Sequence, residues 1–205
     1  MIEPLTIQAV AQFERYIGRG GVAVFPADTV YGLACNPGSR SSRERMYGLK
    51  GRDEGRPAAV MFFELDRALT ALDWISDEIR DAVRRLLPGP ITVVVPNPSG
   101  RYALAGGSGL GVRVPRLEGK LEPLTRARMA VLQTSANRTG AADAKRVGDI
   151  DREILEGVDI VLDGGELSGT ASTVVDLTRY DEGKAWELVR EAAVSREEVA
   201  RHLGT

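Results

Sequence analysis

The chain has 205 residues, 27 Lys and Arg against 29 Asp and Glu, a formal net charge of −2, and only one Cys and one His. Cys35 has no second cysteine to pair with and cannot with His202 complete a four-ligand zinc site, which disfavours structural zinc and a Ser-His-Asp triad. No apolar run approaches the roughly 18 residues of a membrane span, and Met1 to Gln12 lacks the basic head and apolar stretch of a signal peptide, so a cytoplasmic protein without membrane contact is expected.

From Thr6 the apolar residues Ile7, Val10, Phe13 and Ile17 recur at helical spacing, and Gly18, Gly20 and Gly21 stop the helix. Val22 to Phe25, ended by Pro26, reads as a buried strand. Ser41-x-x-Glu44 has the capping-box pattern and predicts a helix through Met46 and Leu49, followed by a strand at Ala58 to Phe63. Ser76 caps a helix with the apolar face Ile79, Val83, Leu86 and Leu87, and Pro88-Gly89-Pro90 ends it before a strand at Ile91 to Val95. Pro96 to Gly109, rich in Gly, Pro and Ser, reads as a long mobile loop.

Further strands are expected at Gly111 to Val114, Ala130 to Gln133, Val158 to Leu162, Ser172 to Leu177 and Ala185 to Val189. Helices are expected near Lys120 to Arg128, Ile150 to Glu156 and Glu197 to Leu203, the last opened by the capping box Ser195-x-x-Glu198. Many apolar strands interleaved with helices predict an α/β fold whose sheet is covered on both faces, in one domain over residues 1–205.

The familiar nucleotide fingerprints fail. Gly164 and Gly169 have Walker A spacing, but Thr170-Ala171 stands where Lys-Ser/Thr is required. Gly106-Gly107-Ser108-Gly109-Leu110-Gly111 cannot be registered as G-x-G-x-x-G. Polar clusters at strand ends remain. In Thr134-Ser135-Ala136-Asn137, Ser135 and Asn137 point to one side of an extended chain, where a hydroxyl and an amide can orient a ligand, although both are also ordinary turn residues. Lys50-Gly51-Arg52 with Arg56 suits a triphosphate or a solvated helix end. In Asp28-Thr29-Val30-Tyr31-Gly32, Thr29 and Tyr31 could line a pocket. The charge is segregated: residues 40–56 carry six cations and three anions, residues 113–128 five and two, and residues 149–205 six and fourteen. Two basic islands in an acidic chain fit a local anion site better than an extended nucleic-acid face.

The ordered set of these clusters resembles the YrdC-like family of threonylcarbamoyl-AMP synthases. The matching segments are Phe25 to Leu33, Lys50-Gly51-Arg52, Leu87-Pro88-Gly89-Pro90-Ile91-Thr92, Val112-Arg113-Val114-Pro115, Thr134 to Gly140 and Ser172-Thr173-Val174-Val175-Asp176. The resemblance implies an open, twisted, mixed β-sheet flanked by helices, with a large concave basic cavity. It implies that L-threonine, bicarbonate and ATP, the last with Mg²⁺, give threonylcarbamoyl-AMP and pyrophosphate, and that a downstream tRNA threonylcarbamoyl transferase consumes the product. By position, Lys50 and Arg52 would be catalytic and would hold phosphates, with Arg56, Asn137 and Arg190 also at the nucleotide. Thr29, Arg113, Ser135 and Ser172 would surround threonine. No residue-borne metal site is implied. The chain departs from the family pattern at Asp53, Ala58, Met61, Gly109, Lys145 and Glu191-Ala192.

Two alternatives stay open on sequence grounds. One is a paralogue of the same fold that binds nucleotide or RNA, with at most weak RNA contact. The other processes carbamoyl phosphate. Overall acidity and the few aromatics near the basic segments weigh against extended RNA contact.

Overall fold

A computed structural model describes residues 1–205 except Glu54 and Ser99. In chain order the first half comprises β1 (Ile2–Pro4), α1 (Ile7–Gly18), β2 (Val22–Pro26), β3 (Tyr31–Cys35), α2 (Arg40–Lys50), β4 (Ala59–Met61), α3 (Leu65–Ala71), α4 (Asp77–Leu86) and β5 (Ile91–Pro96). The second half comprises β6 (Gly109–Arg113), a 3₁₀ segment (Gly119–Arg126), β7 (Val131–Ser135), α5 (Arg152–Gly157), β8 (Ile160–Asp163), β9 (Thr173–Asp176), β10 (Glu187–Arg190) and α6 (Arg196–Leu203), with a short 3₁₀ turn at Val147–Asp149. The strands form one mixed sheet in the order β1-β8-β2-β3-β7-β4-β6-β5-β9-β10.

Strand pleating sends alternate residues to opposite faces. On one face Val24, Leu33, Val60, Val93, Val112, Leu132 and Val175 are buried under α2 to α6. On the other, Ala23, Phe25, Ala34, Met61, Val131, Ile160 and Leu162 pack against Val10, Phe13 and Ile17 of α1 and Leu124 of the 3₁₀ segment. Each large side chain so buried contributes about 1.5–3 kcal/mol. This second cover stops partway across the sheet. The rest of that face, over Gly32, Ala59, Gly111, Gln133, Val94 and Val174, bounds a cavity. The expectation of a sheet covered on both faces is therefore corrected, because small floor residues kept the strands apolar where no helix packs.

Several boundaries differ from expectation. The cap of α2 is Ser39, whose Oγ accepts from Ser42 N at 3.3 Å, so Ser41 already lies in the first helical turn. Thr6, Ser76 and Ser195 cap α1, α4 and α6 through their side chains. The strand at β4 is shorter than expected, while β1, β3 and α3 were not anticipated. The segment joining β5 to β6 is pinned and not a free loop. Asn97 N donates to Ser108 O, Ala58 N donates to Ala105 O, both at 2.8 Å, and Ala105 is buried. Ser99, within it, lies outside the described residues. Among the described residues no helix is long and apolar enough to cross a membrane.

Candidate active site

The cavity on the uncovered half of the sheet measures about 280 Å³, close to the lower bound for small-molecule sites. Register places its floor in successive rows across the strands. Gly32 pairs with Ser135 in one row, and Gln133, Ala59, Gly111 and Val94 align in the next. Arg113, opposite Met61, lies two residues beyond Gly111 in β6, and Thr92 pairs with Val174. Arg52, Arg113, Arg190 and Asp143 are the charged lining residues among those described.

Arg113, at the end of β6, is 4% exposed and pairs with Asp28 through Nη2 at 2.5 Å. The same nitrogen donates to Thr29 Oγ1, and Asp28 accepts Arg116 N at 2.9 Å. Burial pushes the Arg113 pKa down and Asp28 pulls it back up; the guanidinium stays charged because its ordinary value is so high. Its Nε is buried without a hydrogen bond. A buried, unsatisfied donor beside a cavity suits an anionic ligand atom.

Arg190 reaches in from the edge strand β10. Its Nε and Nη2 donate to Ser172 O at 3.1 and 2.7 Å, and Ser172 Oγ shares a 2.9 Å hydrogen bond with Thr92 Oγ1. On the opposite side Gly51 ends α2 in the left-handed region, at φ 59°, which glycine tolerates without strain. That turn aims Arg52 along the wall, where Nη1 donates to Thr134 Oγ1 at 3.3 Å and Nη2 to Pro57 O at 2.6 Å. Arg52 Nε is buried and makes no hydrogen bond.

Lys50, expected to project with Arg52 and hold phosphates, is directed at the turn after β7. It is 3% exposed. Its Nζ donates to Ser135 O and Asn137 O, both at 2.6 Å, and contacts Asn137 Oδ1 at 2.7 Å and Ser135 Oγ at 3.3 Å. In return Thr139 N donates to Lys50 O at 2.9 Å. Lys50 thus fastens the end of α2 to the turn after β7. Burial, helped by Arg52, lowers its pKa to about 8, with Asp143 opposing, so the amine remains charged at neutral pH.

Of the nine residues singled out from sequence, Arg52, Arg113, Ser135, Ser172 and Arg190 line the cavity. Thr29, Lys50, Asn137 and Arg56 do not. Thr29 is fully buried behind Arg113. Asn137 Oδ1 accepts from Lys50 and from Ser135 Oγ at 2.6 Å, and its Nδ2 donates one hydrogen to Ala141 O at 2.5 Å. Arg56 is exposed and borders a separate hollow with Arg43 and Ala103 to Gly107. Sequence reasoning missed Gln133, Asp143 and Thr92 as lining residues. For Gln133 a signal existed, since it is polar, within an otherwise apolar strand, and two residues from Ser135, hence on the same face.

Residues 15–192 match the family model Sua5_yciO_yrdC, described as telomere recombination. A threonylcarbamoyl-AMP synthase of Pyrococcus abyssi is 27% identical over 206 residues, 99% of this chain and 58% of the relative. The chain therefore spans little more than half of that relative's length. A threonylcarbamoyl-AMP synthase of Thiobacillus denitrificans is 32% identical over 165 residues, 79% of this chain and 87% of the relative. Among solved structures, P. abyssi Sua5 complexed with L-threonine superposes with a TM-score of 0.84 at 25% identity, covering 100% of this chain and 60% of that one. Escherichia coli YciO, at 21% identity, shares the fold with a TM-score of 0.75 over 95% of this chain and 94% of its own.

Proposed function

The chain belongs to the Sua5/YciO/YrdC family, and from that premise we propose that it is a cytoplasmic nucleotidyltransferase making threonylcarbamoyl-AMP for tRNA modification. L-threonine, bicarbonate and MgATP would be its substrates, with pyrophosphate as second product. The observation that carries this reading is the convergence of Arg52, Arg113 and Arg190 on one floored cavity at the ends of the motif-bearing strands.

The reaction needs no protein nucleophile. The threonine amine bonds to the carbon of bicarbonate with loss of water, giving a carbamate. A carbamate oxygen then attacks the α-phosphorus of ATP, and the bond to the β-phosphate breaks as pyrophosphate leaves. The protein's task is alignment and charge stabilisation, each worth several kcal/mol in favourable sites. Arg113, backed by Thr29 and Asp28, offers its unsatisfied Nε side to the amino-acid carboxylate. Arg52 faces the phosphates from the opposite wall. Lys50 acts through Ser135 and Asn137, which it holds in place. Mg²⁺ is part of the ATP substrate, neutralising charge on its phosphates.

Pyrophosphate release should require threonine and bicarbonate together, and ATP turnover indifferent to threonine would contradict the proposal. Lys50→Ala should lower the rate about 10²-fold with the fold retained, the scale of losing a preorganised charge arrangement. Near-normal turnover by the folded variant would remove Lys50 from the machinery.

A further inference from the structure

We propose that Tyr47 is a positioning residue that acts through Arg52, holding its guanidinium in the orientation that meets the phosphates. The inference rests on the synthase reading above, in which Arg52 is the phosphate partner. Tyr47 is 1% exposed and is not among the residues lining the cavity, so it does not touch substrate itself. Its backbone, hydroxyl and ring nonetheless all engage the segment that carries Arg52.

The backbone contact fixes where the chain leaves α2. Gly51 turns in the left-handed region, and Arg52 N donates to Tyr47 O at 2.9 Å. The hydroxyl fixes what Arg52 holds on to. Tyr47 Oη donates to Arg56 O at 2.8 Å, and the next carbonyl along the chain, Pro57 O, accepts Arg52 Nη2 at 2.6 Å. Proline's locked φ leaves a single soft dihedral between those two peptide planes, so holding the first carbonyl locates the second. The ring adds a direct contact, since Arg52 Cζ stands 5.5 Å from its centroid, within cation–π range. Arg43 also stands over the ring, at 4.3 Å, but does not line the cavity, so the link to the site runs through Arg52. With Nη2 on Pro57 O and Nη1 on Thr134 Oγ1, the guanidinium is oriented before any ligand arrives, and its Nε is buried without a hydrogen bond. A long side chain ordered in advance loses less entropy on binding.

The test is a double-mutant cycle on the full chain, with MgATP and threonine binding each measured by calorimetry. Tyr47→Phe removes the hydroxyl and keeps the ring; it should weaken MgATP about 5-fold, the scale of one neutral hydrogen bond. Tyr47→Leu removes the ring as well and should weaken MgATP at least about 10-fold. Threonine affinity should stay within about 2-fold in both, and in an Arg52→Met background neither change should weaken MgATP by more than about 2-fold further. If the leucine variant does not fold, Tyr47→Phe carries the cycle alone. A lowered melting temperature with unchanged MgATP affinity, or the same loss of affinity in both backgrounds, would overturn the inference and leave Tyr47 a packing residue. MgATP binding by Arg52→Met as tight as by the parent would instead remove Arg52 from the phosphates, and absence of threonine- and bicarbonate-dependent pyrophosphate release from the unmodified chain would remove the synthase reading itself.

Discussion

Asp28 and Arg113 illustrate how single residues hold this site in a state ready for an anion. The pair is buried, and Asp28 neutralises the guanidinium without occupying its Nε. Removing one member of a buried pair leaves an uncompensated charge, at a cost of about 3–5 kcal/mol. Asp28→Asn should therefore lower the melting temperature markedly, while threonine should raise it more in the variant than in the parent, since its carboxylate replaces the lost partner. An equal ligand-induced shift in both proteins would count against Arg113 as the carboxylate site.

Lys50 gives a pH-dependent counterpart. Its folded value of about 8 lies below its ordinary 10.5, so across that window the unfolded chain binds the proton more tightly. Stability from this group rises as pH climbs from 8 toward 10.5, and the full burial penalty applies below 8. Denaturant titrations should show this rise in the parent relative to Lys50→Met. Parallel pH profiles would contradict a burial penalty on the Lys50 amine. Both basic islands were visible in the sequence, as was the hydroxyl–amide pair of Ser135 and Asn137. That Lys50 turns inward to bind the backbone of that turn was not, because helix-end lysines usually face water and only the approach of β7 decides otherwise.

At the scale of elements, the capping of α2 separates Ser39 from Ser41. Ser39→Ala should destabilise by about 1 kcal/mol and Ser41→Ala by little, measured by thermal unfolding; the reverse order would reinstate the cap read from Ser41 and Glu44. The sequence pattern revealed α1, α4, α6 and most strands because their apolar periodicity and caps agree. It concealed β3, whose Tyr31-Gly32-Leu33-Ala34-Cys35 follows Pro26 and contains a glycine, so it looked like a pocket loop. In the sheet that glycine is closely packed: a Cβ there would lie 3.0 Å from the Phe25 ring and 3.3 Å from Thr134 O, so either neighbour would have to give by a few tenths of an ångström. Gly111 serves the cavity floor differently. A Cβ there would meet Ala59 at 3.4 Å, ordinary contact, so Gly111→Val should leave the fold largely intact while its branches intrude on the ligand. Threonine and ATP affinity should fall at least 10-fold with a small change in melting temperature. Undiminished binding would place the ligand elsewhere.

For the whole molecule, the asymmetric covering of the sheet matters most. Five helices on one face make a rigid base, and the shorter cover by α1 on the other leaves half that face to solvent and substrate. Composition alone could not show this, since a floor of Gly, Ala and Val looks like a buried strand whether a helix or a ligand covers it. The near balance of charge likewise became informative only once Arg52 and Arg113, from separate basic islands, met across one cavity. The most direct test supplies ¹³C-bicarbonate, threonine and ATP and follows the products by mass spectrometry. The account predicts an adenylate carrying threonine and one ¹³C-labelled carbonyl, with one pyrophosphate released per adenylate formed. Conversion of ATP without a labelled threonine adduct would contradict it.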